Sequence, residues 1–223
     1  MEGSEPGIPD IKNIIFDFGG VIINIHHERV ENAFKAIGVK DFERLFNQAS
    51  QSDLFQKLEK GEIIEQEFRD EIRDITGLNI NDEDLDHTWN QIIGEYPPHR
   101  IDLLKNLRSN YRLFLLSNTN SIHFRYYISM FQDQFGFAFE SLFDGAYWSF
   151  QFGMRKPDPD PYLHLLKQEN LQPGETLFID DSVQNIHAAR KLNILALHLN
   201  DQQDISTLFK NALLIPELVK SMI

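Results

Sequence analysis

Three short apolar runs, each ending in a tight polar cluster, constrain this chain more than any bulk property. "NIIF" ends at Asp17. "RLFLL" ends at Ser117, Asn118, Thr119 and Asn120. "TLFI" ends at Asp180, Asp181 and Ser182. Apolar runs without alternation read as strands buried on both faces. Strands are expected at 14–16, 113–116, 177–179 and 194–197, with a weaker one at 145–149. Helical patterns separate them, which predicts a parallel sheet covered on both sides. In such sheets ligands bind in the crevice beyond the carboxyl ends of the strands. One polar cluster there reads as a turn or a helix cap. Three converging on one edge point to a site.

The stretch from His27 to Ile93 breaks this rhythm. It holds no convincing strand and reads as helices at 28–37, 41–48, 53–60, 65–76 and 82–93. Gly38, Gly61 and Gly77 fall at plausible stops. "YPPHR" then interrupts the pattern before a helix at 101–109. The expected organisation is an α/β core of residues 11–25 and 97–223, with an all-helical module of residues 26–96 inserted after the first strand. An insert beside the site edge is well placed to act as a lid.

The 223 residues suffice for such a core and a smaller insert. The net charge of −13 disfavours nucleic acid and anionic membranes as main partners. It leaves room for an anionic substrate, because a metal or a few local cations reverse the field inside a site. No cysteine is present, so thiol nucleophiles, disulfides and thiolate metal sites are excluded. "MEGSEPGIPD" lacks an apolar stretch and reads as a loose lead-in, not a signal peptide. The apolar runs are too short to span a bilayer. A cytoplasmic protein is expected.

The polar groups suit phosphoryl transfer. A phosphate monoester repels a carboxylate nucleophile until its charge is neutralised. Mg²⁺ does this while held by one or two carboxylates and a substrate oxygen. Asp17, Asp180 and Asp181 are the carboxylates available. Without a cation they would repel one another and shift toward protonation. Lys156, in the proline-punctuated "GMRKPDPDP", supplies a second positive charge on a stiff loop. The Ser117 hydroxyl and backbone N–H groups near Asn118 can hydrogen-bond phosphate oxygens. Gly19 and Gly20 let backbone approach a ligand closely.

The motifs "DFGGV", "LFLLSNTN", "GMRKPDP" and "LFIDDSVQN", in this order, resemble the four motifs of the haloacid dehalogenase (HAD) superfamily. The likeness is to its phosphatase branch with a helical cap after the first motif. It covers nearly the whole chain beyond residue 12. It implies a Rossmann-like core whose first and fourth motifs lie on adjacent strands. It also implies that Asp17 is the nucleophile, forming an aspartyl-phosphate. Mg²⁺ would be held by the Asp17 carboxylate, the Gly19 backbone carbonyl and Asp180, with Asp181 as a further ligand or holding a metal-bound water. Ser117 and Asn118 would bind phosphate, Lys156 would orient Asp17 and neutralise charge, and Asn185 would support these groups from behind. The substrate would be a small phosphorylated metabolite.

One position departs. Many family phosphatases carry a second Asp two residues after the nucleophile, as general acid and base; here that residue is Gly19. Loss of such help costs about 10²–10⁴-fold without abolishing catalysis. The chain resembles a sugar-phosphate branch, that of alpha-D-glucose-1-phosphate phosphatase-like proteins, in which "D-x-G-x-V" is itself the pattern. A good leaving group, such as an anomeric oxygen, needs less protonation. Alternatively His26 or His27 substitutes, though both also read as solvated residues at a helix start. A third reading is a binding or scaffold protein that kept the fold and lost turnover. A metal-independent dehalogenase fits less well with the Asp180–Asp181 pair.

Other features have plainer readings. Asp82, Asp84 and Asp86 in "NINDEDLDHTW" lack the remaining ligands of an EF-hand loop and read as a helix start capped by Asn81. The aromatics from Phe124 to Phe143 read as core, with a homodimer surface as the alternative. His123 faces either pocket or solvent, and the sequence does not decide. His164, His187 and His198 lack metal-site spacing. Cap contacts to substrate are expected between Phe46 and Phe55 and at the Gly61 loop.

Overall fold

The computed structural model describes residues 10–200 and 202–220; most of the N-terminal lead-in, residues 1–9, lies outside them. Among the described residues, strands β1 (Asn13–Phe16), β2 (Arg112–Ser117), β3 (Gly145–Trp148), β4 (Thr176–Asp180) and β5 (Leu195–His198) form one sheet in the order β3-β2-β1-β4-β5. Every pairing is parallel, and Phe16 at the end of β1 stands level with Leu115 and Ile179. The first and fourth motifs are therefore on adjacent strands, as the family resemblance implies. A small antiparallel pair, β6 (Phe209–Lys210) and β7 (Leu213–Leu214), was not expected.

The period of two along each strand divides the core. Ile14, Phe16, Leu113, Leu115, Leu177 and Ile179 pack into one hydrophobic cluster. Ile15, Phe114, Leu116 and Phe178 pack into another on the opposite face. Both sets are essentially inaccessible to water, which is why these segments carry no polar alternation. Tyr127, Phe131, Phe139 and Phe143, from the aromatic-rich run, belong to the first cluster, so the core reading of that run holds for them.

Between β1 and β2 run α1 (His27–Ala36), α2 (Phe42–Gln51), α3 (Leu54–Glu59), α4 (Glu65–Thr76), α5 (Asp82–Asn90) and α6 (Pro98–Leu107). The first five share a hydrophobic cluster, which Ile122 joins from the helix after β2, with Val30, Phe34, Phe68, Ile72 and Leu85 in its interior. The chain crosses into and out of this group through a short ribbon. Ile25 and Ile93 form an antiparallel bridge, and the Gly94 N–H donates to the Asn24 carbonyl at 2.8 Å. Two sequence expectations need correction here. α6 starts at Pro98, not at residue 101, because proline is favoured in a first helical turn, so "YPPHR" contains the helix start. α5 stops at Asn90, short of residue 93, where the chain turns into the ribbon.

After β2 come α7 (Ser121–Phe135), α8 (Ser149–Phe152), α9 (Pro159–Gln168), α10 (Val183–Lys191) and α11 (Pro216–Lys220). The Asp82–Asp86 segment is the start of α5, with the Asn81 side chain accepting from the Asp84 N–H at 2.8 Å. Asp82 and Asp86 are paired with Arg73 and Arg69.

Candidate active site

Asp17 follows β1 directly, and its N–H continues the ladder to the Ile179 carbonyl at 2.8 Å. Ser117 closes β2 and Asp180 closes β4. Because β1 lies between β2 and β4, these three ends meet at the carboxyl edge of the sheet. Oxygens of Asp17, Asp180 and Asp181 lie within 4.8 Å of one another. Lys156 reaches into this group from the loop between α8 and α9. Its ammonium donates to Asp17 Oδ1 at 2.7 Å and to Asp180 Oδ2 at 2.6 Å. Lys156 is 1% exposed and Asp180 0%.

This is costly company for buried charge. Burial pushes Asp17 up to about 7, with the neighbouring Asp180 and Asp181 carboxylates adding to the rise and Lys156 opposing it. Burial also works against charge on Lys156, but the two carboxylates outweigh it and hold the ammonium above its ordinary value. One lysine against three acids leaves an excess of negative charge, and the donors are all oxygens. The set fits a hard divalent cation such as Mg²⁺.

Asp180 is fixed from behind. Its Oδ1 accepts from the Ser182 N–H at 2.7 Å, and Asn185 Nδ2 donates to both carboxylate oxygens at 3.0 Å. Asn185 is thus an immediate partner of Asp180. Gly20 has a φ of +70°, and a Cβ there would lie 2.2 Å from Asp181 Oδ2. Only glycine lets the first loop pass so close to that carboxylate. His198, which had no expected role, donates from Nε2 to the Asp181 carbonyl at 2.9 Å.

The Asn118 side chain has a task that the sequence did not show. It is occupied: Nδ2 donates to the Lys156 carbonyl at 2.8 Å, and Oδ1 accepts from the Lys156 N–H at 2.9 Å. The amide clamps the backbone of the lysine loop, and the expectation of a phosphate contact rests on the backbone N–H of Asn118. The Ser117 hydroxyl is buried, with a 3.5 Å contact to the Asn118 carbonyl. Stiffness of the lysine loop comes from this clamp as much as from proline, since Pro159 and Pro161 already belong to α9.

A cavity of about 280 Å³ opens beside Gly19, Ser117 and Asn118, under Phe46, Phe55 and Trp89 of the helical insert. A Cβ on Gly19 would meet Ile25 side-chain atoms at 3.2 and 3.4 Å. Ile25 therefore takes up space that a longer residue 19 would use. His26 is 3.2 Å from Glu95, and His27 is an exposed residue lining the cavity. His123 is buried and lines it too.

A sequence profile of haloacid dehalogenase-like hydrolases matches residues 11–193. The chain belongs to the haloacid dehalogenase-like hydrolase family. Within it, the chain is 34% identical over 182 residues to D-ribitol-5-phosphate phosphatase of Bacteroides thetaiotaomicron, covering 82% of this chain and 88% of that one. It is 28% identical to a sesquiterpene phosphatase of Aspergillus oryzae, over 85% of this chain and 90% of that one. A HAD family enzyme of Bacteroides thetaiotaomicron, solved with magnesium and inorganic phosphate, superposes with a TM-score of 0.83 at 37% identity, covering 90% of this chain and all (100%) of that one. Among the described residues of this HAD hydrolase, no helix is long and apolar enough to cross a membrane.

Proposed function

We propose that this hydrolase is a Mg²⁺-dependent phosphatase that cleaves a small phosphorylated polyol or sugar through a phosphorylated Asp17. The observation that carries the reading is the meeting of Asp17, Asp180 and Asp181 with Lys156 at one sheet edge. The phosphatase relatives, and the magnesium and phosphate held by a similar enzyme, support it.

The Asp17 and Asp180 carboxylates and the Gly19 carbonyl would hold the ion, with Asp181 beside them. When bound, Mg²⁺ neutralises negative charge on the ester and on the acids around it. Lys156 takes Asp17 Oδ1, so the carboxylate is aimed and its ionised form is favoured against the effect of burial. An Asp17 oxygen attacks phosphorus, the bond from phosphorus to the leaving oxygen breaks, and that oxygen leaves with the electron pair. The Ser117 hydroxyl and the Asn118 N–H bind phosphoryl oxygens. Water then attacks the phosphorus of the aspartyl-phosphate, releasing inorganic phosphate and restoring Asp17. Gly19 offers no proton to the leaving oxygen, so that proton comes from solvent or substrate, and rates depend steeply on leaving-group quality. Residues 26–96 form the cap domain, hinged at the Ile25–Ile93 ribbon, and their aromatic side chains select the leaving group.

The test is phosphate release from a panel of aldose 1-phosphates, alditol phosphates and aryl phosphates. It is run with Mg²⁺, with EDTA, and with Asp17→Asn. Release that needs both metal and Asp17 is expected. Wild-type release no greater than that of Asp17→Asn across the panel would overturn the reading.

A further inference from the structure

His123 is the third residue of α7, 9% exposed, with its ring stacked on Trp89 of α5 at 5.1 Å between centroids and 16° between planes. Its Nδ1 lies 2.9 Å from Asn90 Oδ1. An amide oxygen only accepts, so Nδ1 carries the hydrogen. Burial lowers the imidazole to about 3, so the ring holds that hydrogen and no other. Nε2 is consequently a bare acceptor. His123 lines the cavity beside Ser117 and Gly19, and so does Trp89. The Trp89 indole N–H is buried without an acceptor among the described residues.

Two residues that line the same small cavity thus carry a fixed acceptor and an unmet, occluded donor. Unmet buried polar groups are uncommon in native proteins and call for a partner. A hydroxyl is the group that can serve both, since it donates and accepts at once. An alkyl chain serves neither. The aromatic walls give the carbon skeleton of such a ligand a face to lie on, and the volume of about 280 Å³ suits a small metabolite.

We propose that His123 and Trp89 are specificity residues that read a hydroxyl of the leaving group, with Asn90 as the positioning residue that fixes the His123 ring. The site then favours a phosphorylated polyol or sugar over an alkyl or prenyl phosphate of similar size. This rests on the phosphatase reading of the Asp17 site and adds to it the residues that choose the substrate.

The experiment compares ribitol 5-phosphate with n-pentyl phosphate and a short prenyl phosphate. The first two share a five-carbon chain and a primary leaving oxygen and differ in their hydroxyls. The readout is the ratio of kcat/KM for the polyol to that for the alkyl ester, measured within each variant. Wild type should favour the polyol about 10- to 100-fold, because an alkyl analogue leaves the buried donor and acceptor unpaired. His123→Phe keeps an aromatic ring without the acceptor and should bring the ratio close to one. His123→Gln, which restores an acceptor, should recover part of it. Trp89→Phe removes the N–H while keeping an aromatic ring in the wall and should lower the ratio on its own, so the idea stays testable should His123→Phe not fold. A wild-type ratio of one or below, or a ratio unchanged in folded His123→Phe and Trp89→Phe, would overturn the inference while Asp17-dependent release leaves the phosphatase reading standing. No Asp17-dependent release from any ester, aryl phosphate included, would overturn both.

Discussion

Replacing Gly20 by alanine separates the role of the first loop from simple backbone strain. Gly20 has a φ of +70°, and the new Cβ would sit 2.2 Å from Asp181 Oδ2 and 2.9 Å from its Cγ. Gly77 provides the control, with a φ of +67° and nothing within 4 Å of its Cβ position. Both substitutions carry the left-handed backbone cost of about 1–2 kcal/mol. At about 2–4 °C per kcal/mol for a chain of this length, each should lower Tm by about 2–8 °C in EDTA. Only Gly20→Ala also forces Asp181 out of the carboxylate group. A displaced supporting group typically weakens a metal site about 10–100-fold. At a Mg²⁺ concentration 100 times the wild-type Kd, the ion stabilises the wild type by about 2.7 kcal/mol; a tenfold weaker site gains about 1.4. Thermal melts with and without Mg²⁺, paired with calorimetric titration, read both terms. Gly77→Ala should keep the full Mg²⁺ gain and Gly20→Ala should lose about half of it or more. Equal Mg²⁺ gains in the two variants would refute the assignment of Asp181 to the metal group.

The Asn118 clamp and the contact between α4 and α7 give two further predictions. Asn118→Ala removes two hydrogen bonds, of 2.8 and 2.9 Å, from the Lys156 backbone. At about 0.5–1.5 kcal/mol each, it should cost about 1–3 kcal/mol in a chemical denaturation curve. Turnover should fall by up to about 10²-fold through a misplaced Lys156; an unchanged kcat would show that the clamp does not position the lysine. Glu65 accepts hydrogen bonds from Arg125 and from the Ser121 hydroxyl across the contact between α4 and α7. The Arg125 bond, opposed by burial and aided by Ser121, brings Glu65 from the usual 4.5 down to about 2. A depressed folded value means the contact stabilises fully above 4.5 and its contribution fades as pH falls toward 2. The Tm gap between wild type and Glu65→Gln should therefore be constant at neutral pH and close between pH 4.5 and 2; a gap that persists through that window would contradict the ion-pair account.

Much of this was legible in the sequence, for physical reasons that also explain the gaps. Strands buried on both faces must be apolar throughout, so 14–16, 113–116 and 177–179 announced themselves. The site edge followed from what ended them. Asn118 could be placed at that edge but its task could not be read, because Lys156, its partner, is 38 residues away. His123 stayed undecided because its environment is supplied by Asn90 and Trp89, from a helix that packs on α7 only in the folded chain. The pair β6 and β7 spans two residues a side, too short for any periodic signal. Of the local cues, Asn81 capping α5 was read correctly, while Pro98 was read as a break although it opens α6.

The ribbon at Asn24–His26 and Ile92–Glu95 has an evolutionary corollary. Its backbone bonds, from Asn24 to Glu95 at 3.1 Å and from His26 to Ile92 at 2.8 Å, hold the two crossing points side by side. Chain that departs and returns through one doorway can be exchanged without disturbing the register of β1 and β2. Helices of another number or length could be spliced between the same two positions while Asp17, Lys156 and Asp180 keep their places. The carboxylate edge and the helical insert are, in this architecture, separately heritable.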